Sequence, residues 1–183
     1  MAVWFTSDTH FGHENIIAYC GRPFRNVSGM NREMRERWNA LVASRDTIYH
    51  LGDFALGSIG NASKEATWAD YLRKLRGRKI LVRGNHDRNA DVMRSIGFDD
   101  VLENAVVEVG GVRVWLNHYP THSHDARDMK RPKAPGPYDI ALCGHVHEKW
   151  RVNEGVVNVG VDVWHFRPIS LADAFAARDE ASS

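Results

Sequence analysis

Short apolar blocks alternate with amphipathic stretches along the chain. "AVWF", "TIYHL" and "KILVR" are compact β-branched and aromatic runs that each end in a Gly, Asp or Asn turn, which predicts three buried strands. Between them the period lengthens. Met34, Trp38, Leu41 and Val42 keep the i, i+4, i+7, i+8 spacing of one buried helical face. Trp68, Leu72 and Leu75 predict a second helix behind a Ser63 cap. A third, short helix is predicted from an Asn89 cap, with Val92, Met93 and Ile96 inward and Gly97 as its terminator.

The second half is richer in strands. "AVVEVGGVRVWLNH" reads as two alternating runs joined by Gly110 and Gly111, a two-residue hairpin. "DIALCGH" and "VVNVGV" are further strands, and Ser170 with Asp173 forms a capping-box pattern ahead of a helix over Leu171, Ala174 and Phe175. A β-α-β-α start followed by strands predicts an α/β protein with packed sheets and helices outside. "YPTHSHDARDMKRPKAPGPYD" breaks the rhythm with four prolines and no period. A loop over about 119–137 is expected there, of the length that usually serves function. Residues 179–183, "DEASS", are expected to fray.

The 183 residues fit one domain, large enough for a core without disulfide or metal staples. Lys plus Arg (24) nearly balances Asp plus Glu (23), so no overall field favours extended duplex nucleic acid or an anionic membrane. Cys20 and Cys143 are too few for a disulfide framework and read as inert small hydrophobes. No basic leader precedes the first strand, and no run approaches the ~20 apolar residues of a membrane span, so a cytoplasmic protein is expected.

Polar residues recur where strands end. "FTSDTH" carries Asp8 and His10, "HLGDF" Asp53, "VRGNHD" Asn85, His86 and Asp87, "WLNHYP" His118, and "LCGHVH" His145 and His147. Singly these are weak signals: D-x-H arises by chance, and an Asp in a Gly-Asp turn has a structural reading. Gly-His-x-His is stronger, because alternate residues of an extended segment project to one face. In an α/β sheet the carboxyl ends of strands converge on one edge, which brings all these residues within reach of one pocket.

Asp, Asn and His without thiolate make an oxygen and nitrogen donor set suited to Mn, Fe, Zn, Ni or Co. Seven donors exceed the three protein ligands of a catalytic zinc, so two ions are expected. A shared site needs a central carboxylate, and four positive charges against Asp8 and Asp53 leave a surplus for anions. A pair of ions about 3.5–4 Å apart suits a bridging hydroxide and a phosphate.

Asp8-x-His10, Gly52-Asp53, Gly84-Asn85-His86-Asp87, His118 and Gly144-His145-x-His147 together resemble, in order, the signature of the calcineurin-like metallophosphoesterase superfamily. "SDTHFGHENI" and "GRPF" further resemble its small bacterial and phage members. The resemblance implies a four-layer α/β/β/α sandwich of two mixed sheets flanked by helices. It also implies two divalent metal ions, with Mn foremost and Fe, Zn, Ni, Co or Mg as alternatives. Asp8, His10 and His147 would hold one ion, Asn85, His118 and His145 the other, and Asp53 would bridge them. His86 matches the general acid. Some relatives orient that acid with an Asp three residues after the bridging Asp; here the position is Leu56, and Asp87 or a backbone carbonyl stands as the substitute.

Other residues keep two readings. His13 either faces substrate or lies at the surface; Arg22 and Arg25 either clamp a phosphate or belong to a solvated loop. His122, His124, Arg127, Lys130, Arg131 and Lys133 either roof the pocket or stay solvated, His122 and Arg127 being the substrate-binding candidates among them. His50 and His165 read as core or supporting residues. The expected activity is metal-assisted hydrolysis of a phosphodiester or related phosphate ester of a small molecule or nucleotide, by attack of a metal-bridging hydroxide with His86 protonating the leaving group. Monoester and nucleotide pyrophosphate substrates are the alternatives. A non-catalytic protein-binding scaffold would be expected to have lost His86 or several donors, and all are present.

Overall fold

A computed structural model describes residues 1–56, 64–121 and 133–182. Its elements in chain order are β1 (Val3–Thr6), α1 (Asn15–Tyr19), α2 (Val27–Leu41), β2 (Thr47–His50), α3 (Lys64–Arg73), β3 (Arg78–Val82), α4 (Ala90–Ser95), β4 (Asp100–Leu102), β5 (Asn104–Val109), β6 (Val112–Asn117), β7 (Ile140–Cys143), β8 (Val152–Asn153), β9 (Val156–Asn158), β10 (Ile169–Ser170) and α5 (Leu171–Ala181). The first sheet has the order β10-β1-β2-β3-β4 and the second β5-β6-β7-β9-β8. Both are mixed: β1 to β4 run parallel with β10 antiparallel at the edge, and β6, β7 and β9 run parallel between antiparallel β5 and β8.

Strand alternation divides the core. Ile48, Leu81 and Val101 turn to the face covered by Met34 and Trp38 of α2, Trp68 and Leu72 of α3 and Met93 of α4. Phe5, Leu51 and Val82 turn the other way and pack against Val114, Leu116, Leu142 and Val157 of the second sheet, with Ala174 and Ala177 of α5. Trp115, Ala141, Cys143 and Val156 form a smaller cluster on the second sheet's outer face.

The local signals account for most boundaries. Asn89 Oδ1 accepts the Val92 N–H at 3.0 Å, and the Ser170–Asp173 capping box closes in both directions. Gly110 and Gly111 at φ +61° and +82° make the tight hairpin turn that side chains disfavour. The segment expected to fray is helical through Ala181 as the last turn of α5, because the capped helix simply continues. Ser63 and residues 122–132, with His122, His124, Arg127, Lys130 and Arg131, lie outside the described residues. Among the described residues no helix is long and apolar enough to cross a membrane.

The parallel register sets the site. Thr6, His50 and Leu81 are neighbours across β1, β2 and β3, so the loops bearing Asp8, Asp53 and Asn85 leave the same edge. His118 follows β6 and His145 follows β7, which are parallel neighbours in the facing sheet.

Candidate metal centre

The loops at this edge are held in an uncommon backbone conformation. Among the described residues eight non-glycine residues have positive φ, and five are predicted donors: Asp8, His10, Asp53, His145 and His147. Each such residue costs roughly 1–3 kcal/mol and persists only where its surroundings enforce it. Those surroundings are hydrogen bonds between loops: Asp8 N–H to Gly52 O (3.0 Å), His10 N–H to Asp53 O (3.0 Å) and His145 N–H to Asp8 Oδ2 (2.9 Å). The motif glycines permit the close approach. A Cβ on Gly84 would meet Asp53 Oδ1, and one on Gly144 would meet Ser7 Oγ and Asp8 Oδ2.

Asp53 is the hub. Its Oδ1 accepts the His86 N–H at 2.9 Å, while Oδ2 lies 3.5 Å from His10 Nε2, 3.7 Å from His118 Nε2 and 3.9 Å from His86 Nε2. On one side Asp8, His10 and His147 present donor atoms all within 4.8 Å of one another; Asp8, Asp53 and His118 do the same. Asp8 Oδ1 and both His10 ring nitrogens are buried without a hydrogen-bond partner. Burial, then the positive potential of His147, Arg22, His86 and His13, pushes the His10 pKa well down, so the ring is neutral and its lone pair free to coordinate.

The other side is built on Asn85, whose Oδ1 lies 3.0 Å from His118 Nε2 and 3.1 Å from His145 Nδ1. His118 Nδ1 donates to the Leu51 carbonyl at 2.7 Å. In the neutral ring, Nε2 then has only a lone pair, facing the Asn85 oxygen. Two acceptors at that separation repel unless a proton or cation lies between them. The buried atoms and this facing pair fit divalent cations with oxygen and nitrogen preference.

Asp162 and Asn158 are supports that the sequence did not reveal. Asp162 Oδ2 accepts from His147 Nδ1 at 3.1 Å, and His147 also has a donor atom within 4.8 Å of those of Asp8 and His10. Burial disfavours charge on His147, but its hydrogen bonds to Asp162 and Cys20 and the nearby Asp8 outweigh it and hold the pKa up at about 11, so a cation held by this ring would have to compete with a proton. Asn158 Nδ2 donates to the carbonyls of His147 and Trp150, both at 2.8 Å. "NVGVD" offered no period or motif that singled these residues out.

Several expectations are corrected. Asp87, expected beside His86 as a catalytic or orienting group, uses its carboxylate on the main chain: Oδ2 accepts from Asp53 N and Gly84 N, both at 2.8 Å, and Oδ1 from Phe54 N at 3.0 Å. It therefore fastens the loop of Asp53 to that of Asn85. Arg22 is no phosphate clamp: its buried guanidinium forks onto Asp162 (2.7 and 2.9 Å) and donates to the Asp8 and Thr9 carbonyls (2.7 and 3.1 Å). His165 is exposed, while His50 is buried beside Trp38 and 2.9 Å from Thr9 Oγ1. Cys20, read as an inert small hydrophobe, has its sulfur within 4.8 Å of donor atoms of His147 and Asp162.

His13 is half-buried, with its ring 5.4 Å from that of His10 and Nδ1 without a partner. Arg25 is exposed ahead of α2. The His86 side chain is 43% exposed at the mouth of the site, its ring 5.4 Å from that of His10.

A calcineurin-like phosphoesterase superfamily domain matches residues 1–178, and the chain belongs to that superfamily. An uncharacterised protein of Methanocaldococcus jannaschii is 33% identical over 177 residues, covering 92% of this chain and 86% of the relative. The gene 66 protein of Mycobacterium phage L5 is 29% identical over 189 residues, covering 88% and 86%. The crystal structure of a protein of unknown function from Aquifex aeolicus superimposes with a TM-score of 0.72 at 28% identity, covering 96% of this chain and 98% of that one.

Proposed function

We propose that this phosphoesterase hydrolyses a phosphodiester or related phosphate ester using two divalent cations. Asp8, His10 and His147 would hold one, Asn85, His118 and His145 the other, and Asp53 would be shared by both. The observation that carries the reading is the set of acceptors gathered around the Asp53 carboxylate: His10 Nε2, buried without a partner 3.5 Å from Oδ2, His118 Nε2, 3.7 Å from Oδ2 and facing Asn85 Oδ1, and the unpartnered Asp8 Oδ1 in the same cluster. Bound cations supply a water of lowered pKa and electrostatic stabilisation of phosphoryl oxygens.

The chain's own residues do the rest. Asp53 Oδ1, tied to the His86 main chain, holds the acid's backbone against the hub. His86 would present a proton from its half-exposed ring to the leaving alkoxide. His13, with a free ring nitrogen beside His10, would contact a non-bridging oxygen. Asp87 keeps Asp53 and Asn85 at fixed separation through three backbone hydrogen bonds. A small phosphoester or nucleotide is the proposed substrate, and Mn the foremost ion.

The test is hydrolysis of bis-p-nitrophenyl phosphate and p-nitrophenyl phosphate by protein stripped with chelator and reloaded with Mn. Diester turnover that appears only on reloading is expected. Equal turnover before and after reloading would refute the metal role, and monoester turnover alone would move the substrate to phosphomonoesters.

A further inference from the structure

The two sides of the centre rest on different supports. His118 leans on a neutral carbonyl, whereas His147 leans on a carboxylate, Asp162, at 3.1 Å. Asp162 comes from the short turn Val161–Val163 beyond β9 and is gripped by Arg22 from the loop after α1, 140 residues away. The side chains of this pair are 0% and 2% exposed. Arg22 also donates to the carbonyls of Asp8 and Thr9, so one guanidinium ties the turn bearing Asp162 to the loop bearing Asp8 and His10.

We propose that Asp162, clamped by Arg22, is a positioning residue that selects the Nδ1–H tautomer of His147 and orients its Nε2 toward Asp8 and His10, and so strengthens cation binding on that side alone. Two pieces of physical chemistry support this. A carboxylate behind a coordinating imidazole fixes the ring and raises its basicity, and losing such a partner typically weakens metal affinity or activity ~10–100-fold. Further, a buried carboxylate requires a partner, and Arg22 supplies it without taking the lone pair that His147 uses.

The inference builds on the proposed metal centre but concerns residues outside it. Cys20, His147 and Asp162 also bring sulfur, nitrogen and oxygen within 4.8 Å, the makings of a separate site for a thiophilic cation. The geometry favours the buttress instead, since Arg22 places a positive charge on both Asp162 oxygens where such a cation would sit.

The test is Mn titration of the full chain, followed by isotherms and by electron paramagnetic resonance, where two neighbouring Mn ions give an exchange-coupled spectrum and one gives an isolated six-line signal. Wild type is expected to bind two ions. Asp162→Asn, which keeps an acceptor but loses the charge, is expected to bind one with unchanged affinity and the other ~10–100-fold more weakly, with six-line spectra at intermediate loading. Arg22→Met with Asp162→Asn removes the buried pair together, strands no charge, and should show the same one-sided loss if the single variant fails to fold. A wild type that binds no ions would overturn the metal reading and this inference with it. Two wild-type isotherms in a folded variant would overturn the role of Asp162 alone. A Co–thiolate charge-transfer band that appears with a third equivalent and vanishes in Cys20→Ala would also overturn it, in favour of the thiophilic site.

Discussion

The side of the centre formed by Asp8, His10 and His147 is backed by a buried ion pair, and the side formed by Asn85, His118 and His145 by neutral oxygen. Two buried carboxylates support the loops of the centre, yet they are used differently. Asp162 spends an oxygen on an imidazole, whereas Asp87 spends both of its oxygens on backbone N–H groups. The first tunes a donor; the second holds two loops in register. Identical residue types therefore do unlike work, and what distinguishes them is whether a ring or a main chain stands opposite.

The largest expected effect comes from what the two sides share. Asp53→Asn weakens the hub oxygen of both, so bound Mn should fall from two ions toward none and hydrolysis to background. Two tight ions with full activity would remove Asp53 from its role. Next comes the residue belonging to neither side. His86→Ala should keep both ions and lose ~10²–10⁴-fold in rate on an alkyl phosphodiester, with a smaller loss on an aryl one. Equal losses on both leaving groups would dismiss it as the acid.

The Asp87 support is tested by stability. Asp87→Ala strands three N–H groups that it now satisfies, at roughly 1–3 kcal/mol for each one left buried and unpaired, so urea unfolding should shift by several kcal/mol. A shift under about 0.5 kcal/mol, typical of an ordinary surface site, would show that the loops hold register without it.

The smallest effect is a pH slope. Burial, with His118 nearby, lowers the His50 pKa from its ordinary 6.5 to about 3. The unfolded chain thus binds a proton below pH 6.5 that the folded chain refuses until about 3. The contribution of His50 is complete above 6.5 and declines as pH falls through that window, by at most ~1.4 kcal/mol per pH unit. His50→Gln should flatten the acid limb of urea midpoints measured from pH 7 to 5; an unchanged limb would assign it to other groups.

Much of this was written in local pattern. The three parallel strands, the Gly110–Gly111 hairpin, the Asn89 cap and the Ser170–Asp173 box each depend on residues within a few positions of one another. The strands that escaped notice, β4, β8 and β10, are two or three residues long, too short for alternation to register. The positive φ of Asp8, His10, Asp53, His145 and His147 left no mark either, because neither Asp nor His announces that conformation as glycine does.

Arg22 shows where local reading ends. In "GRPFR" an arginine suits a phosphate or a carboxylate equally, since its fork matches both. The choice fell to Asp162, brought beside it by the packing of the two sheets. The residue types and their order along the chain determined the family, the candidate donors and the strands that carry them, because those follow from short-range spacing and intrinsic chemistry. Which arginine is buried, which histidine is backed by charge and which carboxylate serves the backbone were decided only by tertiary structure, because each turns on a partner distant in sequence whose nearness is created by folding.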